Sequence, residues 1–315
     1  MGAALALGER GRGRTAPNPS VGCVIVKDGV VVGRGWTQPS GRPHAEAMAL
    51  AQAGDAARGA TAYVTLEPCA EVGRGPACAG ALIAAGVTRV VVAADDPFPT
   101  VDGKGFAALA NAGVVVARDV RAADAERTMT GFLTRQRLGR PAVTLKLATS
   151  LDGRIALASG ESRWITGPEA RAHAHLERAR HDAILVGGGT MRADAPALDV
   201  RLPGLEDRAP RRLVLTRGDA PAGWQALAVP HAVADLPRDI LDVLIEGGAQ
   251  TAAAFLAADL VDRLLLYRAP ILIGAGTPAL DDIGLGALAE AHGRWRLHDA
   301  RTLGNDRLEI YDRVR

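Results

Sequence analysis

Pro43-His44-Ala45-Glu46, then Thr65-Leu66-Glu67-Pro68-Cys69, then Cys78 decide how the first half of the chain reads. Tyr63–Leu66 is a short run that predicts a strand, and Glu67-Pro68 ends it. Ala45–Ala53 predicts a helix stopped by Gly54, and Ala77–Ala85 a helix stopped by Gly86. One histidine therefore opens a helix, one cysteine follows a strand, and a second cysteine begins the next helix. One imidazole and two thiolates suit a zinc ion and leave its fourth position for water. Cys23, in the middle of the strand-like Val-Gly-Cys-Val-Ile-Val run, reads as a small buried hydrophobe instead.

Outward from this cluster, short β-branched runs alternate with Ala-rich helical stretches, the pattern of layered α/β architecture. Val21–Val26 and Val30–Gly33 flank Asp28-Gly29 and predict a hairpin. Val90–Ala93 and Val114–Ala117 predict further strands, with a helix at Phe106–Ala112 between them. A charged connecting helix is expected over 119–140, where Asp119, Asp124 and Glu126 interleave with arginines. The domain boundary is placed near 138–142, giving domains of 1–140 and 141–315. Beyond it, strands are expected at Val143–Ala148, Ala183–Val186, Leu213–Leu215, Val243–Ile245, Arg263–Tyr267 and Leu308–Tyr311, and helices at Pro168–Arg180 and Thr251–Ala258.

Composition narrows the function classes. Apolar residues make 48% of the chain and aromatic ones 3%, so the cores must be filled by Ala, Val, Leu and Ile. The formal charge of +2 gives no electrostatic case for a nucleic-acid partner. Met1 to Arg14 holds no apolar stretch near membrane-span length, and the three cysteines cannot build a disulfide framework. A reducing cytoplasm and no membrane partner are the expectation.

The H-x-E … P-C … C arrangement is that of zinc deaminases. There the metal makes hydroxide available near neutral pH. A carboxylate that is not a ligand, here Glu46, carries the proton from water to the leaving amine. The helix start is expected to favour the thiolate of Cys78. Eight residues separate Cys69 from Cys78, wider than in many deaminases. With that spacing, Thr15-Ala16-Pro17-Asn18-Pro19-Ser20-Val21-Gly22-Cys23-Val24-Ile25-Val26 and the two motifs above resemble the bifunctional deaminase/reductase family of riboflavin biosynthesis. The resemblance implies a cytidine-deaminase-like α/β/α domain in which His44, Cys69 and Cys78 hold zinc. It also implies that Asn18 contacts the pyrimidine, and that the Gly73-Arg74 loop, with Arg74, binds the phosphoribosyl part. Departures from the family pattern are Thr37, Glu71, Gly75 and Phe98, and a carboxylate at Glu71 would repel a phosphate.

In the second half, Lys146–Gly153, Glu161–Gly167, Gly187-Gly188-Gly189-Thr190 and Ile245-Glu246-Gly247-Gly248-Ala249 follow in order. Glycines between a strand and a helix let phosphates approach backbone N–H groups. Together these segments resemble the reductase domain of the same family, which has a dihydrofolate-reductase-like α/β fold and uses NADPH. The resemblance implies cofactor contacts from Ala148, Trp164, Thr190, Asp194, Gly247, Gly248, Ala249, Gln250 and Thr251. It implies substrate contacts from Ser162, Arg178, Leu198, Arg201 and Glu246, and pairing of chains through the reductase half. Arg178 and Arg201 could each grip a phosphate in bidentate fashion, and Trp164 offers a flat apolar face to a cofactor ring. Lys146 is read as orienting substrate or cofactor, and Asp152 as a turn-former. Ala195 and the Thr216-Arg217 turn depart from the family pattern, and Arg217 could pair with a cofactor phosphate.

The expected activity is therefore hydrolytic deamination of 2,5-diamino-6-(5-phosphoribosylamino)pyrimidin-4-one, then NADPH-dependent reduction of its ribosyl group to ribityl. Two alternatives stay open on the sequence. One is a deaminase of a nucleoside or a tRNA base, disfavoured by the cysteine spacing. The other is a second half that only binds or regulates.

Overall fold

The computed structural model describes residues 1–70, 77–98 and 101–315. The chain divides into two compact units, Met1–Gly139 and Arg140–Arg315. No helix among the described residues is long and apolar enough to cross a membrane.

In the first unit the order is α1 (Gly2–Gly8), β1 (Gly22–Lys27), β2 (Val30–Trp36), α2 (Ala45–Ala53), β3 (Thr61–Leu66), α3 (Cys78–Ala84), β4 (Arg89–Ala94), α4 (Lys104–Asn111), β5 (Val115–Ala117), α5 (Ala122–Thr128) and α6 (Thr130–Leu138). The five strands form one sheet in the order β2-β1-β3-β4-β5. β1 pairs antiparallel with β2 and β3, whereas β3, β4 and β5 run parallel. The hairpin turn is the expected one. Asp28 and Gly29 both take positive φ, which suits the twist of the strands they join.

Two glycines set how closely α2 approaches this sheet. A Cβ on Gly33 would lie 2.2 Å from the Ala49 carbonyl oxygen, and one on Gly35 2.0 Å from that of Ala45. The helix backbone thus rests on β2, and its N-terminal end is fixed against the sheet. The α1 helix was not signalled by the sequence, being too short and uncapped to show a period. The connecting segment is two helices rather than the single one expected, broken at Met129 (φ −110°). Thr128 and Thr130 turn their hydroxyls back to the carbonyls of Asp124, Glu126 and Arg127, a bonding mode that strains helical continuity.

The second unit runs β6 (Ala142–Thr149), β7 (Arg154–Ala156), α7 (Pro168–Ala179), β8 (Ala183–Gly187), α8 (Gly188–Asp194), β9 (Arg211–Leu215), β10 (Gln225–Leu227), β11 (Asp242–Ile245), α9 (Ala249–Ala257), β12 (Arg263–Arg268), β13 (Thr277–Pro278), β14 (Trp295–Leu303) and β15 (Asp306–Arg313). Eight strands share a sheet in the order β10-β9-β8-β11-β6-β12-β15-β14, while β7 and β13 pair separately. The strands from β10 to β12 are parallel, and β15 and β14 are antiparallel additions. On one face Val143, Leu145, Leu185, Val243 and Ile245 pack with Ala252 and Phe255 of α9. On the other, Leu265, Tyr267 and Leu308 pack with Ala170 of α7. Arg140 closes the start of this unit with a bidentate pair to Asp262 at 2.7 and 2.9 Å, and Asp262 also accepts the Val143 N–H. β14 escaped the sequence reading because both its faces are largely exposed, so it carries no alternation.

Candidate functional site

In the first unit, His44 caps the N-terminal end of α2 with extended backbone (φ −71°, ψ 162°), and Glu46 follows inside the first turn. Cys69 lies just beyond β3, and Cys78 is the first residue of α3. The ligand atoms of His44, Cys69 and Cys78 all lie within 4.8 Å of one another. His44 turns Nδ1 toward the sulfurs, 3.3 Å from Cys78 Sγ and 3.7 Å from Cys69 Sγ. Its Nε2 faces Asn18 Nδ2 at 3.2 Å, and the same amide donates to the Gly41 carbonyl at 3.2 Å. Glu46 is buried against this cluster and hydrogen-bonded to the Cys78 thiol.

The three ligand groups compete for protons. Cys69 is held down to about 4, first by the hydrogen bond from the Cys78 thiol and then, against burial, by His44 and the Cys78 N–H. Cys78 is driven the other way by Cys69 and by burial. His44 is raised chiefly by its hydrogen bond to Cys69. A divalent cation replaces such shared protons, and one imidazole with two sulfurs is a donor set suited to zinc. The residues therefore fit the ion. One expectation is corrected: the start of α3 serves Cys69 rather than Cys78. The Cys78 backbone N–H points at Cys69 Sγ, 3.3 Å away. Burial pushes Glu46 up to about 7, the range in which a carboxyl both takes and gives protons near neutrality.

Glu67 is a structural contributor whose role the sequence reading missed. Its buried carboxylate accepts the N–H groups of Gly103, Gly105 and Phe106, which ties the end of β3 to the start of α4. Its position between a strand and Pro68-Cys69 was the available signal. Cys23 is fully buried, as a small hydrophobe would be. Thr37 is buried too, and its hydroxyl accepts the Val21 N–H. Arg74, Gly73, Glu71 and Gly75 lie outside the described residues.

In the second unit, β8 and β11 are parallel neighbours, and each ends in a glycine turn that opens a helix. A Cβ on Gly187 would lie 2.2 Å from Thr251 Oγ1, and one on Gly247 2.7 Å from Thr251 Cβ, so only bare backbone fits where the two turns meet. Before Gly189 there is open space, and Thr190 Oγ1 lies 3.7 Å from where a Gly248 Cβ would stand. The open backbone at Gly189, beside the carboxyl ends of adjacent parallel strands, fits a dinucleotide phosphate. Gly247, Gly248, Ala249, Gln250 and Thr251 lead into and begin α9, whereas Asp194 ends α8 and pairs with Arg163 at 3.5 Å. Ala148 is half-buried on β6. Ser162 and Trp164 are exposed, Trp164 by 63%, with the Arg171 guanidinium 4.8 Å from its ring centre.

The structure joins two expected substrate residues directly. Arg178 Nε and Nη2 donate to Glu246 Oε1 and Oε2 at 2.7 and 2.9 Å, and Nη1 donates to the Asp199 carbonyl at 2.9 Å. The expected bidentate grip of Arg178 on a phosphate is therefore corrected, because its fork is already closed on Glu246. Arg201 keeps a largely exposed side chain beside His175. Lys146 lies 3.9 Å from Glu246 and over the ring of Tyr267, whose hydroxyl meets His173 Nδ1 at 2.7 Å. Burial alone would raise Glu246, but Lys146 and Arg178 overcome it and hold the carboxyl at about 2. Leu198 is buried with a left-handed backbone and packs with Ile184 and Val186. Asp152 sits in a turn as expected, accepting the Ser150 hydroxyl at 2.6 Å, and it also ties that turn to a distant segment by accepting the Ile273 and Gly274 N–H groups at 3.1 and 2.7 Å.

Residues 1–94 match the cytidine and deoxycytidylate deaminase zinc-binding region, and residues 141–308 match the RibD C-terminal domain. The riboflavin biosynthesis protein RibD of Escherichia coli is 42% identical, with 97% of this chain and 96% of the relative covered. That of Mycobacterium tuberculosis is 42% identical over 98% of this chain and 95% of its own. Among solved structures, RibD of Acinetobacter baumannii superposes with a TM-score of 0.86 at 40% identity, covering 100% and 98% of the two chains. A diaminohydroxyphosphoribosylaminopyrimidine deaminase/5-amino-6-(5-phosphoribosylamino)uracil reductase from Thermotoga maritima gives 0.87 at 30% identity, covering 100% and 97%. With a zinc-fitting His/Cys/Cys cluster in one unit and a dinucleotide-fitting sheet edge in the other, the chain belongs to the RibD family of bifunctional riboflavin-biosynthesis enzymes, a zinc-binding deaminase domain followed by an NADPH-dependent reductase domain.

Proposed function

We propose that the first unit hydrolyses the 2-amino group of 2,5-diamino-6-(5-phosphoribosylamino)pyrimidin-4-one, and that the second reduces the ribosyl group of the product to ribityl. The observation that carries the first half is a buried carboxyl held near neutrality beside three zinc-suited ligands. His44, Cys69 and Cys78 would hold the zinc, which supplies a water acidic enough to ionise near neutral pH. Glu46 takes the proton of that water and passes it to the departing amine, a role its buried position and balanced proton affinity support. Asn18, whose amide lies beside His44, would contact the pyrimidine edge, and Arg74 is assigned to the phosphoribosyl part.

For the second half, the open backbone at Gly189, next to the two glycine turns that close on Thr251, supports a cofactor edge made with Ala148, Trp164, Thr190, Asp194 and the Gly247–Thr251 turn. NADPH supplies the hydride. Ser162, Leu198, Arg201 and the Arg178–Glu246 pair would hold the phosphoribosyl substrate, with Glu246 kept anionic by Lys146 and Arg178. The enzyme works as a homo-oligomer paired through this unit, in the cytoplasm. The test is an assay of the purified chain with the diaminopyrimidinone and NADPH. Ammonia release and NADPH oxidation in equal amounts are expected, and ammonia release without NADPH oxidation would remove the reductase half.

A further inference from the structure

The ends of β8 and β9 lie side by side in parallel register, Gly187 opposite Leu215. Just past them, three features converge. A Cβ on Gly188 would stand 3.1 Å from Arg192 Nη1 and 3.3 Å from Thr216 Oγ1, so a guanidinium and a hydroxyl flank one patch of bare backbone. Thr216 Oγ1 accepts the Gly218 N–H at 3.1 Å, which fixes the hydroxyl at the strand end. Arg192 is exposed on α8, and its guanidinium makes no hydrogen bond or ion pair among the described residues. Arg217, next to Thr216, is exposed as well.

In open parallel sheets that hold dinucleotides, the end of the strand after the glycine turn reads the adenosine ribose. An acidic side chain there selects a bare 2′-hydroxyl, and an arginine accommodates a 2′-phosphate. In this chain that place is taken by Thr216-Arg217, with Asp219 two positions beyond Arg217. An arginine fork and a hydroxyl can both donate to a phosphate dianion, and Arg192 needs to break no existing ion pair to do so. We infer that Arg192, reaching over Gly188 to Thr216, forms the 2′-phosphate subsite that makes this reductase prefer NADPH over NADH, with Arg217 as a weaker outer contact. The inference rests on the dinucleotide reading of the second unit and assigns its cofactor preference to a side chain outside the glycine turns.

The test is calorimetric titration of the zinc-loaded full chain with NADPH and with NADH, without substrate. Arg192→Gln should weaken NADPH binding about tenfold to a hundredfold, the loss expected for charge-assisted bonds to one anion. NADH binding should stay within about twofold, since it lacks the phosphate that Arg192 would contact. Arg192→Lys should fall between wild type and Arg192→Gln, because it keeps the charge but loses the fork. Equal weakening toward both cofactors, or unchanged NADPH binding in Arg192→Gln, would overturn the inference while leaving the reductase reading intact. Failure of the wild type to bind either cofactor would overturn the reading itself and this subsite with it.

Discussion

In the first unit three ligand atoms lie within 4.8 Å of one another, on side chains drawn from the starts of two helices and the end of one strand. In the second unit the candidate contacts are spread over loops, strand ends and three helices, and Trp164 is 63% exposed. The first arrangement is preassembled by burial. Glycines in β2 admit α2, Glu67 anchors the end of β3 to α4, and Glu46 is enclosed. The second is a sheet carrying exposed pieces, where Arg178 at 2.7 Å and Lys146 at 3.9 Å hold one carboxylate, Glu246. A site that must polarise water needs fixed ligands and low dielectric. One that binds a large cofactor needs open backbone and reachable cations.

The contrast can be broken most severely at the metal. Cys78→Ala should drop bound zinc to background and abolish ammonia release, while NADPH oxidation with the deaminated intermediate continues. Zinc retained at wild-type level would show that the cluster is not the metal centre. Glu46→Gln isolates the proton carrier: zinc content should hold while deamination falls by about 10²- to 10⁴-fold. A loss below tenfold would mean that another group moves the proton.

On the other side of the comparison, Arg178→Leu strands the Glu246 carboxylate. It should destabilise the second unit by about 3 kcal/mol, near the low end for breaking a buried pair because Lys146 remains close. Adding Glu246→Leu should recover most of the loss, and denaturant titration of both variants would decide. pH probes the same carboxylate. The folded Glu246 sits at about 2 against an ordinary 4.5, so its contribution is complete above 4.5 and fades as pH falls toward 2. Glu246→Gln should therefore flatten the acid limb of the second unit's stability profile. An unchanged acid limb would mean that this carboxyl is not held down in the folded state.

The two regions also differed in how far they could be read from residues alone. His44, Cys69 and Cys78 carry rare side chains at helix starts and a proline-marked strand end, with Glu46 two positions from His44, so type and spacing were enough to single them out. The Ala45–Ala53 helix came out with its bounds unchanged, because Gly54 stops it. In the second unit the buried strands β6, β8, β11 and β12 were legible as β-branched or leucine runs. The α8 helix was not, since Gly188-Gly189 opens it against propensity. Nor was the closing of Arg178 on Glu246, a pairing across 68 positions that no local pattern encodes. The role of Cys78 was misread for a similar reason. Which sulfur receives the N–H at the start of α3 depends on where the preceding loop brings Cys69.

Selective zinc removal tests most directly the claim that one chain holds two separate chemistries. The purified protein would be stripped with a chelator and assayed in parallel for ammonia release from the diaminopyrimidinone and for NADPH oxidation with the deaminated intermediate. Ammonia release should vanish and return on adding zinc, while NADPH oxidation stays within about twofold of the untreated enzyme, a change worth only about 0.4 kcal/mol. Loss of both activities together, or ammonia release that survives removal of the metal, would contradict it.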